Sequence, residues 1–430
     1  MTEKRILHQR IAVSFGVLLV ISSCSSSSSE NPQPVDSVQK NGAITTLVQS
    51  TTAPSTNVLA SITTIAVNSK LPPVPDDVPL PPTSDIKDLS LKLTPVADVP
   101  LALGMAWSEE QGYFYIITQK GEVYRSSSDF SGLELAIDLT SLVSPYSFES
   151  ERGMTGVAIS PIDGRLFLTY NDLNKDTNVV SYDFQNGFPD PLTRRLVLFV
   201  KQPGVSHKAG NLVFDDNGVL FISLGDGGGN KGATAQDYTS LLGSILRIIP
   251  KIDSDGYTIP PDNPFVNDPF RAPEIYVKGL RQPHRFAYNR ANGDVYITDV
   301  GESTYEELNF LPAGTSGVNF GWPLMEGLEK RKSSISGGEY VFTPPIYHFA
   351  HPTWIAIIAG FIYHGEKIPK MKGALIFGDM AGKLCLLGSD GVTVLNISES
   401  GNVLTSFAEG PDGELYSLSR SGGVKRIDPA

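Results

Sequence analysis

A histidine and an aspartate flank one predicted β-hairpin of this chain. His207 opens the segment Ser206-His-Lys-Ala-Gly-Asn-Leu-Val-Phe, and Asp226 follows the apolar run Val219-Leu-Phe-Ile-Ser-Leu-Gly. Because the two strands of a hairpin are antiparallel, Asp226 returns to the end of the sheet at which His207 lies. A carboxylate beside an imidazole orients it for work as a general base. The spacing predicts a catalytic pair, and the alternative is a histidine that only makes structural hydrogen bonds.

An arginine occupies the equivalent position ahead of the next predicted hairpin. Arg281 lies in the segment Gly279-Leu-Arg-Gln-Pro-His-Arg-Phe-Ala-Tyr. If the two hairpins are aligned, Arg281 and His207 point toward the same site, where a guanidinium could hold a carboxylate or polarise a carbonyl oxygen. The alternative is a salt bridge between neighbouring sheets.

A third segment, Asp299-Val-Gly-Glu-Ser-Thr-Tyr-Glu-Glu-Leu-Asn, ends a predicted strand with a glycine and several carboxylates. Hard cations bind carboxylate oxygens together with backbone carbonyls, so calcium is one interpretation. The segment lacks EF-hand spacing, and solvated loop acids are the other interpretation.

The elements that position these residues recur along the chain. Six glycines, most of them preceded by Asp or Asn, are each followed by a short run rich in aliphatic or aromatic residues: Gly112, Gly164, Gly218, Gly293, Gly373 and Gly413. Glycine supplies the positive φ of a tight turn, and the run after it is the strand that the turn feeds. Six irregularly spaced β-units predict an all-β fold, a six-bladed β-propeller over residues 91–430.

The N-terminal region differs in composition from the rest. Basic residues among the first ten are followed by the apolar run 11–21, which is too short to span a bilayer, and then by Ser22-Ser-Cys24. Residues 1–24 therefore resemble a bacterial lipoprotein signal with a lipidated Cys24, and the alternative is an ordinary signal peptide. Residues 25–90 contain no aromatic residue and predict a disordered Ser/Thr/Pro-rich linker. We expect an extracytoplasmic protein, periplasmic or at the cell surface, held at a bacterial membrane only by its lipid.

Charge and cysteine content limit the partners. The formal net charge is −12, and no basic cluster follows the signal, which argues against nucleic acid as a partner. Cys385 is the only cysteine besides Cys24 and lies in an apolar strand context, so we expect a buried, inert thiol and no disulfide. A small, neutral ligand is the expected partner.

Six segments follow one another in a characteristic order: Glu149-Ser-Glu-Arg-Gly-Met-Thr-Gly, the 207–229 segment, Ser240-Leu-Leu-Gly-Ser-Ile-Leu-Arg-Ile, Ile259-Pro-Pro-Asp-Asn-Pro-Phe, Gly279-Leu-Arg-Gln-Pro-His-Arg-Phe and Asn319-Phe-Gly-Trp-Pro-Leu-Met-Glu-Gly. Together they resemble the glucose/sorbosone dehydrogenases, the soluble sugar dehydrogenases that depend on pyrroloquinoline quinone (PQQ), and their relatives. The resemblance covers about residues 95–425. It implies a six-bladed propeller that oxidises a sugar or related alcohol.

The resemblance also implies residue roles. His207 matches the general base, Asp226 the acid that supports it, and Arg281 the arginine that contacts the quinone oxygens. Positions that adjoin the cofactor in the family are occupied by Gln282, where Asn is typical, and by Glu151, where the soluble glucose enzymes have Gln.

Calcium is implied in the same way. Gly301 matches a glycine whose carbonyl helps to ligate a cofactor-bridging Ca²⁺, and it is followed by Glu302 where the glucose enzymes have proline. Glu307 and the backbone of Phe320 match a second calcium site.

The chain departs from the family where cations neutralise the carboxylates of PQQ. The corresponding stretches, Phe377-Gly-Asp-Met and Val403-Leu-Thr-Ser-Phe, hold no cation and one acid. A buried carboxylate without a partner is costly, so this departure favours a second hypothesis, a non-catalytic propeller that binds a glycan or a protein. A third hypothesis, calcium-dependent hydrolysis, needs a metal with an open coordination position at the channel centre, and no residue set clearly suits it.

Overall fold

The computed structural model describes residues 86, 89–147, 150–332, 341–388, 391–399 and 401–430. The predicted signal, Cys24 and nearly all of the predicted linker lie outside these residues. No helix within the described ranges is both long and apolar enough to cross a membrane.

The described residues form six antiparallel sheets, the blades of a β-propeller, which confirms the predicted fold class. Strands are given from the innermost outward. Blade 1 consists of Ala102–Ser108, Tyr113–Thr118, Glu122–Ser126 and Glu134–Asp138. Blade 2 consists of Met154–Ile159, Leu166–Asn171, Thr177–Tyr182 and Arg195–Val200. Blade 3 consists of Leu212–Phe214, Leu220–Leu224, Ser244–Pro250 and Ile275–Lys278, with Tyr257–Thr258 as a short addition.

The remaining blades complete the ring. Blade 4 consists of Arg285–Tyr288, Val295–Asp299, Tyr305–Leu311 and Tyr347–Ala350. Blade 5 consists of Ile357–Ile362, Leu375–Asp379, Lys383–Gly388 and Gly391–Ser398. Blade 6 consists of Leu404–Glu409, Leu415–Ser419, Gly423–Pro429 and Leu91–Ala97. Because Leu91 pairs with Pro429, the two ends of the propeller chain close the ring by sharing a sheet.

Short elements decorate this ring. They are the two-residue hairpins Phe184–Gln185/Phe188–Pro189 and Met325–Glu326/Glu329–Lys330, and the 3₁₀ helices Pro191–Thr193, Asn230–Gln236 and Pro369–Met371.

The six predicted glycines all adopt positive φ. Their φ values run from 69° at Gly164 to 87° at Gly293, a region that residues with a Cβ rarely occupy. Each glycine therefore allows the chain to reverse between the first and second strand of its blade. These six turns lie at one end of the central channel, which we call the lower mouth. The inner strands begin, and the second strands end, at the opposite end, the upper mouth.

The hydrophobic core is divided among the interfaces between blades. One buried cluster lies at each of the six interfaces; Phe167 of blade 2 packs with Leu220 of blade 3, for example, and Tyr296 of blade 4 with Phe377 of blade 5. Burying one such side chain stabilises a protein by roughly 1.5–3 kcal/mol. Cys385 is a free, buried residue of the cluster between blades 4 and 5, as predicted, and burial raises the pKa of its thiol to about 12.

Candidate active site at the upper mouth

His207 and Asp226 meet at the upper mouth. His207 precedes the inner strand of blade 3, Asp226 follows the second strand, and the pairing of Leu212 with Ile222 sets their register. His207 Nδ1 lies 2.6 Å from Asp226 Oδ1. The carboxylate is buried, whereas the imidazole keeps 16% of its surface exposed. The expected pair is therefore formed, and His207 Nε2 is the ring nitrogen left for another partner.

The backbone around His207 is held in an uncommon conformation. His207 has φ of 54° and Ala209 has φ of 50°, in the left-handed region. Residues other than glycine occupy this region at a cost, and such strain is frequent at functional sites. The His207 N–H donates to Glu151 Oε2. A Cβ on Gly225 would clash with the His207 carbonyl oxygen, so glycine at position 225 permits the close approach of the two chains.

Trp322 is a third member of this cluster. Its indole Nε1 donates to Asp226 Oδ2 over 2.7 Å, and the backbone N–H of Gly228 donates to Asp226 Oδ1 over 2.8 Å. Both carboxylate oxygens are thereby fixed, one by the tryptophan and one shared with the histidine. Sequence reasoning did not assign Trp322 a role, although the segment Asn319-Phe-Gly-Trp-Pro had been recognised as a family feature.

Arg281 lies beside this cluster. Its backbone N–H donates to Asp299 Oδ2 over 2.8 Å, and its Nη1 donates to the Val300 carbonyl over 3.0 Å. The guanidinium carbon is 5.4 Å from the centre of the Trp322 ring, and Nε is buried without a hydrogen-bond partner among the described residues. No described carboxylate lies within ion-pair distance of the guanidinium, so the alternative of an interblade salt bridge is not observed.

Glu151 and Gln282 also reach the site. Gln282 Nε2 donates to Glu151 Oε2 over 3.1 Å, and that oxygen also accepts the backbone N–H of His207. Gln282 Oε1 is buried and has no partner among the described residues. The residues predicted to adjoin a cofactor are thus brought together with the predicted base.

The loop that contains Gly301 is organised by a residue that sequence reasoning missed. Glu326 Oε1 accepts four consecutive backbone N–H groups at 2.9 to 3.3 Å, those of Glu302, Ser303, Thr304 and Tyr305. Its other oxygen pairs with Arg331 Nε at 3.2 Å. The cluster of four N–H groups on one carboxylate is a favourable electrostatic arrangement that fixes the loop.

Arg331 adds a second cation next to Arg281. Its guanidinium carbon lies 4.3 Å from the centre of the Trp322 ring, and it contacts Glu302. Burial lowers the pKa of Arg331, and the charge of Arg281 lowers it further. Arg331 is therefore a second cation at the upper mouth, and the carboxylates of Glu302 and Glu326 balance its charge.

The residues predicted as calcium ligands have separate partners. The exposed carboxylate of Glu302 contacts Arg331, whereas Glu307 is buried and accepts the Gly327 N–H at 2.6 Å. Phe320 is part of the core between blades 3 and 4. Within the described residues, no group of three or more His, Cys, Asp or Glu side chains could hold a metal ion.

Three acids of this region are buried, so they are not the solvated loop acids of the alternative interpretation. Burial raises the pKa of Asp299 to about 7, against the opposing N–H groups of Arg281 and Gln282. Burial likewise raises the pKa of Glu306 to about 9 and that of Glu307 to about 8. Only Glu302 among the four acids of the segment is largely exposed.

The chain is similar to an enzyme and also to a protein that is named for an interaction with another protein. It is 28% identical to the aldose sugar dehydrogenase YliI of Escherichia coli over 64% of this chain and 77% of that protein. It is also 28% identical to the human Hedgehog-interacting protein, over 73% of this chain and 46% of that protein. The chain thus spans less than half the length of this second relative.

Solved structures and a family model agree with the fold. The PQQ-bound aldose sugar dehydrogenase of Streptomyces coelicolor superposes with a TM-score of 0.62 at 20% identity, over 81% of this chain and 99% of that one. The family model for glucose/sorbosone dehydrogenases matches residues 100–425. The match includes His207, Asp226, Arg281 and Trp322, and it extends over most of the chain. The chain therefore belongs to the glucose/sorbosone dehydrogenase family.

Proposed function

We propose that this chain is a PQQ-dependent dehydrogenase that oxidises a sugar, an aldose, or a related alcohol at the upper mouth. The observation that carries the proposal is the chain of contacts from His207 through Asp226 to Trp322, with Arg281 alongside. A base that is oriented by a buried carboxylate, next to a guanidinium, suits the removal of a hydroxyl proton while hydride leaves the same carbon.

The polar groups at the upper mouth fit a quinone cofactor. Among the described residues, Arg281 Nε is a buried donor without a partner and Gln282 Oε1 is a buried acceptor without one, so both are available to a bound molecule. Arg281, Gln282 and Glu151 would hold the cofactor. When bound, PQQ accepts the hydride of the substrate.

Two cations other than those of the family's usual clamp lie at the upper mouth, and one of them, Arg331, is paired with Glu302 and Glu326. Asp379 is the one acid in the two stretches that lack the family's cations. Its oxygens accept hydrogen bonds from the backbone N–H groups of Ile355, Ala356 and Ala381. Arg331 lies beside Arg281 against Trp322. Arg420 directly follows the second strand of blade 6, at the end of the sheet that faces the upper mouth.

His207 would act through Nε2, because Asp226 occupies Nδ1. The imidazole takes the proton of the substrate hydroxyl, and the imidazolium that forms is stabilised by the adjacent carboxylate. Trp322 keeps that carboxylate in position through its indole N–H. Arg281 stabilises the negative charge that develops at the acceptor.

Calcium and the membrane anchor remain parts of the proposal. The carbonyl of Gly301 would ligate one Ca²⁺, and the carboxylate of Glu307 with the backbone of Phe320 would ligate a second. Burial raises the pKa of Asp299 and of Glu307 in this region. Lipidated Cys24 would tether the propeller at the outer side of a bacterial membrane through the 25–90 linker.

A non-catalytic binding propeller is the second candidate. The observation that favours it is the lack of cations in 377–380 and 403–407, together with the similarity to a relative named for interacting with Hedgehog. In that case His207 and Arg281 would contact a glycan or protein ligand.

A titration separates the two candidates. The purified chain is titrated with PQQ and Ca²⁺ while the cofactor absorbance is followed, and a panel of aldoses is then added with an artificial electron acceptor. PQQ binding followed by sugar-dependent reduction of the acceptor supports the dehydrogenase. If PQQ does not bind in the presence of calcium, the binding propeller is the better account.

A further inference from the structure

A cavity opens at the lower mouth. It has a volume of about 430 Å³ and is lined by inner strands of all six blades and by turns at the lower mouth, including Glu109, Pro411 and Gly413. None of His207, Asp226, Arg281 and Gln282 lines it. We call this cavity the lower well. It is distinct from the site at the upper mouth.

Arg285 forms part of the lining of the lower well and lies at the start of the inner strand of blade 4. The residue is 4% exposed. Its Nε donates to Ser406 Oγ over 3.1 Å, its Nη1 to the carbonyls of Thr155 and His284 over 3.0 Å, and its Nη2 to the Leu103 carbonyl. The guanidinium therefore joins the inner strands of blades 1, 2, 4 and 6 across the channel.

The charge of Arg285 has no counter-ion within the described part of the chain. All of its partners are neutral, and four of its five N–H bonds are used, which leaves one N–H of Nη2 available. Burial lowers the pKa of Arg285 to about 10, and no acid opposes that shift. A buried cation without an anion is expensive, even when carbonyl dipoles surround it.

The acids of the lower well lie toward its rim. Glu409 is three residues beyond Ser406 on the same strand, about 10 Å along it. Glu109 lies in the turn after the inner strand of blade 1 and accepts the indole N–H of Trp107 at 2.7 Å. The other ionisable groups of the lining are Tyr288, Arg290 and His364. The rim thus carries both signs of charge, and neither acid forms an ion pair with Arg285.

From this geometry we propose that the lower well binds a small anion at Arg285, either a halide ion or the carboxylate of a small organic acid. The anion accepts the unused Nη2 N–H and supplies the missing negative charge in a site where water screens poorly. This site does not depend on quinone chemistry at the upper mouth. It would tie anion binding to the stability of the propeller, because Arg285 connects four blades.

The test compares anions at one fixed sodium concentration. Thermal unfolding of the full chain, purified in detergent, is followed in sodium bromide, sodium formate and sodium isethionate. The isethionate anion is larger than the other two and serves as the reference. A ligand that binds only the folded state stabilises it. We therefore expect the midpoint temperature of unfolding to be about 2 °C or more higher in bromide or in formate than in isethionate. Which of the two salts gives the shift distinguishes halide from carboxylate.

Two variants locate the effect. Arg285→Met should abolish the difference between salts, whereas Arg290→Gln, which changes an exposed cation of the same cavity, should retain it. If Arg285→Met fails to fold, a crystal of the unaltered chain soaked in bromide decides through its anomalous signal. A bromide peak in contact with Arg285 Nη2, together with the midpoint shift, supports the proposal. Equal midpoints in all three salts, a peak confined to Arg290, or a peak without any shift in solution would overturn it.

Discussion

Trp322 donates its indole N–H to the oxygen of Asp226 that faces away from His207. The distance is 2.7 Å, and the other Asp226 oxygen lies 2.6 Å from the imidazole. The aspartate is buried, so its orientation depends on these few contacts. The tryptophan and the histidine therefore act on one carboxylate from two sides, although 96 residues separate Trp322 from Asp226 in sequence.

Trp322→Phe should lower sugar oxidation by roughly tenfold to a hundredfold without loss of the fold. A hydrogen bond to a charged group contributes about 1.5–3 kcal/mol, and 1.4 kcal/mol corresponds to a factor of ten in rate. The loss should occur in kcat, with a changed pH profile, since the variant leaves one Asp226 oxygen without its donor. Steady-state kinetics across pH measures both.

Trp354→Phe is the matched control for that variant. Trp354 is a buried tryptophan that stacks on Phe349 between blades 4 and 5. We expect its kcat and pH profile to stay as in the unaltered chain. Equal losses in the two variants would mean that Trp322 only fills space.

Glu326 should contribute more to stability than an ordinary loop acid. Glu326→Ala removes the acceptor of four N–H groups and should cost about 2–3 kcal/mol of unfolding free energy, whereas Glu326→Gln keeps an acceptor oxygen and should cost less. Denaturant unfolding measures both values. Glu329→Ala, which removes only an exposed hydrogen bond from Tyr305, is the control and should change stability by less than about 0.5 kcal/mol. A similar loss of unfolding free energy in Glu326→Ala and Glu329→Ala would refute the role of Glu326 in fixing the loop.

Lys208 should give stability a pH dependence. Its Nζ donates to the Gly204 carbonyl over 2.6 Å, and burial lowers its pKa from 10.5 to about 8, against the opposing charges of Glu151 and Asp176. Between these two pH values the unfolded chain binds more protons at this residue than the folded chain. Stability therefore rises with pH in this window, and the penalty of the buried charge is complete only below about pH 8.

Lys208→Met tests this dependence. The unfolding free energy of the unaltered chain should rise relative to that of the variant as the pH increases from 8 to 10.5. Denaturant titrations at several pH values measure the difference. A difference that stays constant or falls over this range would contradict the assignment.

Cys24→Ala should release the protein from the membrane fraction. Several acyl chains anchor a bacterial lipoprotein firmly, and the variant has no site for them. Fractionation of cells measures the distribution, with Ser25→Ala as a control that preserves the cysteine. Unchanged membrane association of Cys24→Ala would refute the lipid anchor.

The fold could be predicted because its signal is local and repeated. A glycine turn and the strand after it lie within a few residues, and all six predicted turns have positive φ. The pairing of His207 with Asp226 could also be predicted, because a single hairpin joins the two residues. In both cases the residues are close in sequence, and the antiparallel pairing of two adjacent strands determines where they lie.

The rest of the site depends on contacts between blades. Trp322 reaches Asp226 from another blade. Glu326 lies on a short hairpin after the third strand of blade 4, and Arg331 directly follows that hairpin. The hydrophobic pattern of the sequence does not indicate which loop of one blade contacts the neighbouring blade. Burial of Asp299 and Glu307 was missed for a similar reason, since a run of acids indicates exposure when packing partners are unknown.

In the proposed reaction, His207 removes the substrate proton while Arg281 stabilises the acceptor. The most direct test is the rate at which an aldose reduces bound PQQ in a single turnover, followed by absorbance in the unaltered chain and in His207→Ala. We predict that His207→Ala binds PQQ normally and reduces it about 10²–10⁴-fold more slowly, the usual contribution of a general base. Arg281→Ala, measured alongside, should weaken PQQ binding itself. An undiminished reduction rate in His207→Ala would contradict the account.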